Sequence, residues 1–165
     1  MWEQAEVVAL LDAQARVTVV SRNETEAPVA SVAGRSLVEM LAPESVTEFE
    51  HAFHRVLNGA ESIALLAGMA DAGYVFWARV RLLPSPEPAS QVLFHMRRLP
   101  TSWGKLSGRE REVIDALNAA GTNAKGAAKQ LGISLNTLNS HRRSICQKCE
   151  LQGVGDFWIF VHQCR

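Results

Sequence analysis

"LGISLNTLNSHRRSIC", residues 131–146, decides how this chain is to be read. Gly132 suits a tight turn and Ser134 is a helix N-cap residue. The helix that follows carries amides, hydroxyls and arginines where a solvent-facing helix usually carries glutamate and lysine. With Leu135 at zero and 100° per residue, Leu138, Ile145, Cys146 and Cys149 fall between about −80° and +20°, and Asn136, Asn139, Ser140, Arg143 and Gln147 between about 40° and 140°. One side is for packing; the other is a strip of hydrogen-bonding groups. No acidic residue occurs from Gly132 to Cys149. A helix meant for solvent mixes its signs, whereas one that enters a polyanion excludes carboxylates.

The donor and acceptor forks of Asn and Gln match adenine in a major groove, and that of Arg matches guanine. Asn136, Asn139, Ser140 and Arg143 are therefore the expected base readers. Gln147 and the flanking His141, Ser144 and Lys148 are expected at phosphates. Arg142 is different, because it falls near −20°, among the packing residues. Its stem is expected to be buried, with the guanidinium paired to an acid of a preceding helix, Glu112.

Two further helices precede this one. Ser107 caps the first, with Glu110 in its opening turn and Val113, Ile114, Leu117 and Ala120 on one side, and Gly121 stops it. Asn123 caps a second, short helix through "AKGAAKQL", whose alanines allow close packing. Helix, glycine turn, helix is the arrangement of a helix-turn-helix.

At this point the sequence resembles a known family. "LSGREREVIDAL" followed by "AAKQLGISLNTLNSHRRSICQKCEL" is similar to the DNA-binding domain of LuxR-type transcription regulators, over residues 105 to about 163. The resemblance implies a four-helix domain, base reading by Asn139, Ser140 and Arg143, and backbone contacts from Thr137, His141 and Lys148. It also implies that a fourth helix, "GDFWIFVHQ" (155–163), pairs two protomers; simple core packing is the other use of so apolar a segment. Two departures stand out: one extra residue lies within "ALNAAG" (116–121), and Asn139 replaces a common lysine. Base preference therefore cannot be carried over.

The 165 residues carry no formal net charge, but the two parts differ. Residues 1–100 hold 8 Lys+Arg against 12 Asp+Glu, net −4, and residues 101–165 hold 9 against 5, net +4. Proline, glycine and small polar residues in "LPTSWGKLSG" (99–108) mark the division, so the expected domains are 1–100 and 107–165, with 101–106 a linker. "LLPSPEPASQ" (82–91) is read as a loop between strands, since apolar alternation resumes at once in "QVLFHMRRL".

In the first part, "ARVTVVS" (15–21) and "YVFWARVRLL" (74–83) are rich in β-branched and aromatic residues and read as strands. "SVTEFEHAFHRVLNGA" (45–60) repeats Val46, Phe49, Phe53, Val56 and Leu57 at helical spacing, and Asn58-Gly59 ends it. The expected class is α+β. "ALLDAQARVTVVSRN", "VAGRSLVEMLAPESVTEFEHAFHRVLNGAES" and "DAGYVFWARVRLLPSPEPASQVLFHMRRL" together resemble a PAS sensor domain over residues 5–100, which implies an antiparallel sheet with flanking helices. The short, proline-bearing stretch from Asn23 to Gly34 is expected to make the second strand irregular. Of Tyr74, Phe76 and Trp77, at least one is expected to face away from the core.

Several function classes find no support. No apolar run approaches a membrane span, and the N-terminus lacks the basic start and cleavage site of a secretory signal, so a cytoplasmic location is expected. Three cysteines, all in the last twenty residues, do not make a disulfide framework. Cys146, Cys149, His162 and Cys164 lack the closing spacing of a zinc site, so no metal is expected. Without a phosphate loop, nucleophile elbow or zincin motif, no enzyme is expected. The sequence requires no cofactor.

The reading is a one-component regulator: a PAS-like domain receives a signal, a helix-turn-helix binds double-stranded DNA, and a homodimer couples the two. Two alternatives concern the first domain. It is a dimerisation or protein-interaction module that binds no small molecule, or it holds haem or another ligand through His51 or His54.

Overall fold

A computed structural model of the chain describes residues 6–22, 32–71, 74–86, 90–121 and 123–165. It divides into two compact units, Met1–Leu99 and Pro100–Arg165.

The first unit is a five-stranded antiparallel sheet carrying one long helix. The strands are β1 (Glu6–Leu11), β2 (Val17–Arg22), β3 (Ile63–Asp71), β4 (Tyr74–Pro84) and β5 (Val92–Arg98), and the helix is α1 (Pro43–Leu57). They lie in the order β2-β1-β5-β4-β3. The first and last strands in sequence are thus central neighbours, Leu11 opposite Val92 and Val7 opposite Met96. One face packs: Ala9 and Leu11, Leu65, Ala67 and Met69, Ala78, Val80 and Leu82, and Val92, Phe94 and Met96 are buried against Phe49, Ala52, Phe53 and Val56 of α1. β1, β3, β4 and β5 each supply alternate residues, as the pleat requires. Phe76 shares this parity and packs on the core, whereas Val75 is exposed and Trp77 lies on the opposite parity. The aromatics therefore do divide between the two faces.

Two local devices position these elements. Between β1 and β2, Asp12 accepts hydrogen bonds at Oδ1 from the backbone N–H groups of Gln14 and Arg16, which stabilises a turn tight enough to hold Ala15 at a φ of 56°. At the start of α1, Ala42 N–H donates to the carbonyl of Gly68 at 2.8 Å, and Gly68 N–H donates to Ser45 Oγ at 2.8 Å. A Cβ on Gly68 would stand 2.9 Å from the Ala42 Cβ. The helix meets the strand closely there because position 68 has no side chain.

The pattern of the sequence does not announce β1 or β3. "EVVALL" is a near-continuous apolar run and "IALLAGMAD" is broken by alanine and glycine, so neither alternates cleanly. The irregular second strand expected between Asn23 and Gly34 falls mostly on residues outside those described.

The second unit is helical: α2 (Gly108–Ala119), α3 (Ala124–Gln130), α4 (Leu135–Lys148) and α5 (Val154–Gln163). Residues 101–106, expected as a linker, are not free chain. Thr101–Lys105 form a short 3-10 helix with Trp103 fully buried, and Leu106 is buried as well. Two apolar side chains in six residues have a core to join, which is why the stretch folds. The three expected caps are present: Ser107, Asn123 and Ser134 each accept from a backbone N–H three residues on, namely those of Glu110, Gly126 and Thr137. Gly121 and Gly132 take the left-handed φ values, 58° and 64°, that end α2 and α3.

Candidate nucleic-acid interface

α4 is held from behind by apolar packing and from its side by charge. Leu138 and Ile145 are fully buried, as are Val113, Ile114 and Leu117 of α2 and Ala127 of α3. The charged attachment is Glu110. Its carboxylate accepts from Ser107 N–H at 2.7 Å, closing a capping box at the start of α2. The same two oxygens accept from Ser144 Oγ and from Lys148 Nζ of α4, each at 2.7 Å. Glu110 is 3% exposed. Burial alone would raise its pKa, but the bonds from Lys148, Ser144 and Ser107 outweigh burial and hold it down to about 2.

Ser144 and Lys148, both expected at DNA phosphates, thus reach a buried carboxylate of their own unit, because α4 lies beside the start of α2, and Lys148 stays exposed. The expected Arg142–Glu112 pair is not formed. Glu112 pairs with Arg109 at 2.6 Å on its own helix, and Arg109 Nη2 donates to the Leu131 carbonyl at 3.1 Å, tying α2 to the turn before α4. Arg142 does pack its stem, but its guanidinium lies over two rings of α5, 4.8 Å from the centre of Phe157 and 5.2 Å from that of Trp158. A flat, weakly hydrated cation suits ring faces as well as it suits a carboxylate.

The remaining strip faces outward. Asn136, Thr137, Ser140, Arg143 and Gln147 are exposed, and Asn139 and His141 are half-buried. Ser140 Oγ donates to the Asn136 carbonyl at 3.1 Å, which leaves its oxygen able to accept. Thr137 sits at the cap, with its Oγ1 2.8 Å from Ser134 Oγ. Lys125 and Lys129 of α3 are exposed too. The sequence reading passed over both, although two lysines on the helix before a recognition helix are themselves a signal.

α5 serves the core through Phe157, Phe160 and Val161, with Cys164 just past its end, all buried, and Asn118 Nδ2 of α2 donates to the Val161 carbonyl at 2.9 Å. Val154 and Ile159 of the same helix are 66% and 59% exposed. Cys146 and Cys149 are half-buried, and burial pushes both thiols up from their ordinary value.

His51 and His54 are exposed on α1. The helix turns Phe49, Ala52, Phe53 and Val56 inward at helical spacing and leaves both histidines, the expected candidates for a haem or other ligand, on the other side. Among the described residues, no group of three or more His, Cys, Asp or Glu is placed to hold a metal, and no helix is long and apolar enough to cross a membrane.

Comparison with known proteins falls along the same division. Residues 3–99 match the PAS fold, and residues 104–156 match the bacterial regulatory proteins of the luxR family. The transcriptional regulatory protein TdiR of Thauera aromatica is 45% identical over 56 residues, which are 34% of this chain and 24% of that protein. The chain thus spans about a quarter of that relative's length. Among solved structures, a Vibrio cholera VqmA–ligand–DNA complex aligns over 95% of this chain and 82% of its own, at 15% identity and a TM-score of 0.45. The Drosophila melanogaster Cycle PAS-B domain aligns over 56% and 99%, at 8% identity and a TM-score of 0.49.

Proposed function

We propose, on the premise that this chain belongs to the PAS-fold family and continues into a helix-turn-helix of the LuxR family of bacterial regulatory proteins, that it is a one-component regulator of transcription. The observation that carries the reading is α4. Its outward strip offers amide, hydroxyl and guanidinium groups and no carboxylate, while Glu110, which fastens the helix, is buried and paired with Lys148. In this reading α4 enters the major groove. Asn136, Asn139, Ser140 and Arg143 meet base edges, and Thr137, His141 and Gln147 meet phosphates. Lys125 and Lys129 of α3 add phosphate contacts where the first helix of the motif crosses the backbone.

The regulator acts in the cytoplasm as a homodimer, with two copies of α4 about one DNA turn apart, roughly 34 Å. The exposed Val154 and Ile159 of α5 are the surface that supports pairing. A signal acts by favouring the dimer arrangement in which that spacing is met. No catalytic step is part of this reading.

Its test is the affinity of the full chain for duplex DNA as salt is raised. A fall of log affinity with log salt, of slope about −0.9 per phosphate neutralised, is expected. Lys125→Ala should reduce that slope by about 1 and weaken all sequences alike. No measurable binding at low salt overturns the proposal.

A second reading of the first unit, as a dimerisation module that takes no small molecule, is supported by the packing of its core. Phe49 stacks on Phe53 at 6.0 Å and meets Phe94 edge-on at 6.5 Å, in the space between helix and sheet. A thermal-shift screen of the full chain against metabolite extracts separates the two: a reproducible rise in melting temperature favours a sensor, and none favours the module.

A further inference from the structure

Arg142 lies among the packing residues of α4, one turn on from Asn139 of the polar strip. Its guanidinium occupies the corner made by Phe157 and Trp158, whose rings meet edge to face at 5.2 Å. Its Nε is buried without a hydrogen-bond partner, and its Nη1 donates to Oδ1 of Asn139 at 3.4 Å. That contact is long, yet it sets the sense of the amide. A guanidinium has only donors, while an amide has an acceptor at one end and donors at the other. An Nδ2 group turned toward Arg142 would bring donor against donor, so the oxygen must face it. The donor end of Asn139 is then the end left for a base.

We propose, building on the DNA-binding reading above, that Arg142 sets a base preference of the recognition helix without touching DNA. By engaging the acceptor of Asn139, it makes this residue present its donor to the major groove. Adenine is read by an amide through two bonds, one donated to N7 and one accepted from the N6 amino group. With Oδ1 engaged, the second bond is weakened. An edge made of acceptors is favoured instead: N7 and O6 of guanine, or O4 of thymine. The aromatic corner makes this durable, since ring faces hold a cation in place without neutralising it. The charge stays available to Asn139. Because both rings belong to α5, a helix outside the helix-turn-helix takes part in sequence choice.

The experiment selects bound duplexes from a random pool with the full chain and then competes single-base variants, for the wild type, Asn139→Ala, Arg142→Met and Phe157→Leu. Methionine keeps an apolar stem against the rings and removes the donors. The wild type should prefer guanine or thymine at one position, and Asn139→Ala should flatten that position alone. Arg142→Met should move the same position toward adenine by about tenfold, with the base read by Arg143 unchanged. Phe157→Leu should move it the same way by less. The proposal fails if Asn139→Ala leaves every position unaltered, or if a folded Arg142→Met keeps the wild-type preference or weakens all sequences alike. Should Arg142→Met not fold, Phe157→Leu decides: a shift toward adenine supports the proposal and an unchanged position overturns it. A wild type that selects no sequence at all overturns the DNA-binding reading as well.

Discussion

α1 and α4 are nearly the same length, 15 and 14 residues. Each buries an apolar stripe. They differ in what they show to solvent and in how they are fastened. α1 exposes Glu44, Glu48, Glu50, His51, His54 and Arg55, the mixed signs of a solvated face. α4 exposes Asn136, Thr137, Ser140, Arg143 and Gln147, with no acid among them. α1 begins without a side-chain cap and is fastened by close backbone approach to Gly68. α4 has its cap in Ser134 and a charged attachment to Glu110, so its exposed strip is not what fastens it. The difference teaches that amphipathicity identifies a packed helix, whereas the chemistry of the exposed side and of the fastening indicates what the helix is for.

The largest expected effect breaks the charged fastening. Glu110→Ala removes the capping box and leaves Lys148 without its buried partner, and should cost the helical unit about 3–5 kcal/mol in chemical denaturation. The same carboxylate predicts a pH dependence. Its pKa is about 2 in the folded unit against an ordinary 4.5, so its contribution is complete above about pH 5 and is lost as pH falls toward 2. Melting followed by circular dichroism should show a loss on the order of 3 kcal/mol across that window. Glu110→Gln should remove most of it.

The fastening of α1 should respond to volume instead of charge. Gly68→Ala brings a Cβ against Ala42 and should destabilise the first unit by about 1–3 kcal/mol, with no pH dependence of its own. An unchanged melting temperature would show that the close approach is not needed.

The exposed faces sharpen the comparison further. Arg143→Ala on α4 should reduce discrimination at one base by about 1–3 kcal/mol in competition binding. Arg55→Ala on α1 should leave DNA affinity within about 0.5 kcal/mol of the wild type. The smallest effect is the introduction of the missing sign: Gln147→Glu should weaken binding to all sequences at low salt, and less so as salt is raised, with little change in stability.

Much of this was legible in the chain. Period and caps located α2, α3 and α4, since Ser107, Asn123 and Ser134 each precede an apolar rhythm and Gly121 and Gly132 end two of them. The strip on α4 could be drawn on a helical wheel, because all its members lie within one element. β1 and β3 were not legible, because apolar residues fill their outward positions as well as their buried ones, as Val8 does in β1 and Ala64 in β3, and this erases the alternation that identifies a strand. The burial of Trp103, inside the stretch read as a linker, was not legible either: proline and glycine nearby mark a turn, but only a core decides whether a tryptophan within it is buried.

The sequence by itself determined which residues share a helix face, where helices begin and end, and that one face carries no acid, because these follow from the 1.5 Å rise and 100° turn of the backbone. Tertiary structure alone decided partners. Glu110 and Lys148 lie 38 residues apart and meet at 2.7 Å, and Arg142 meets the aromatic corner of α5 instead of Glu112. Such choices depend on how helices cross, and the crossing is set by the packed volume of both helices together.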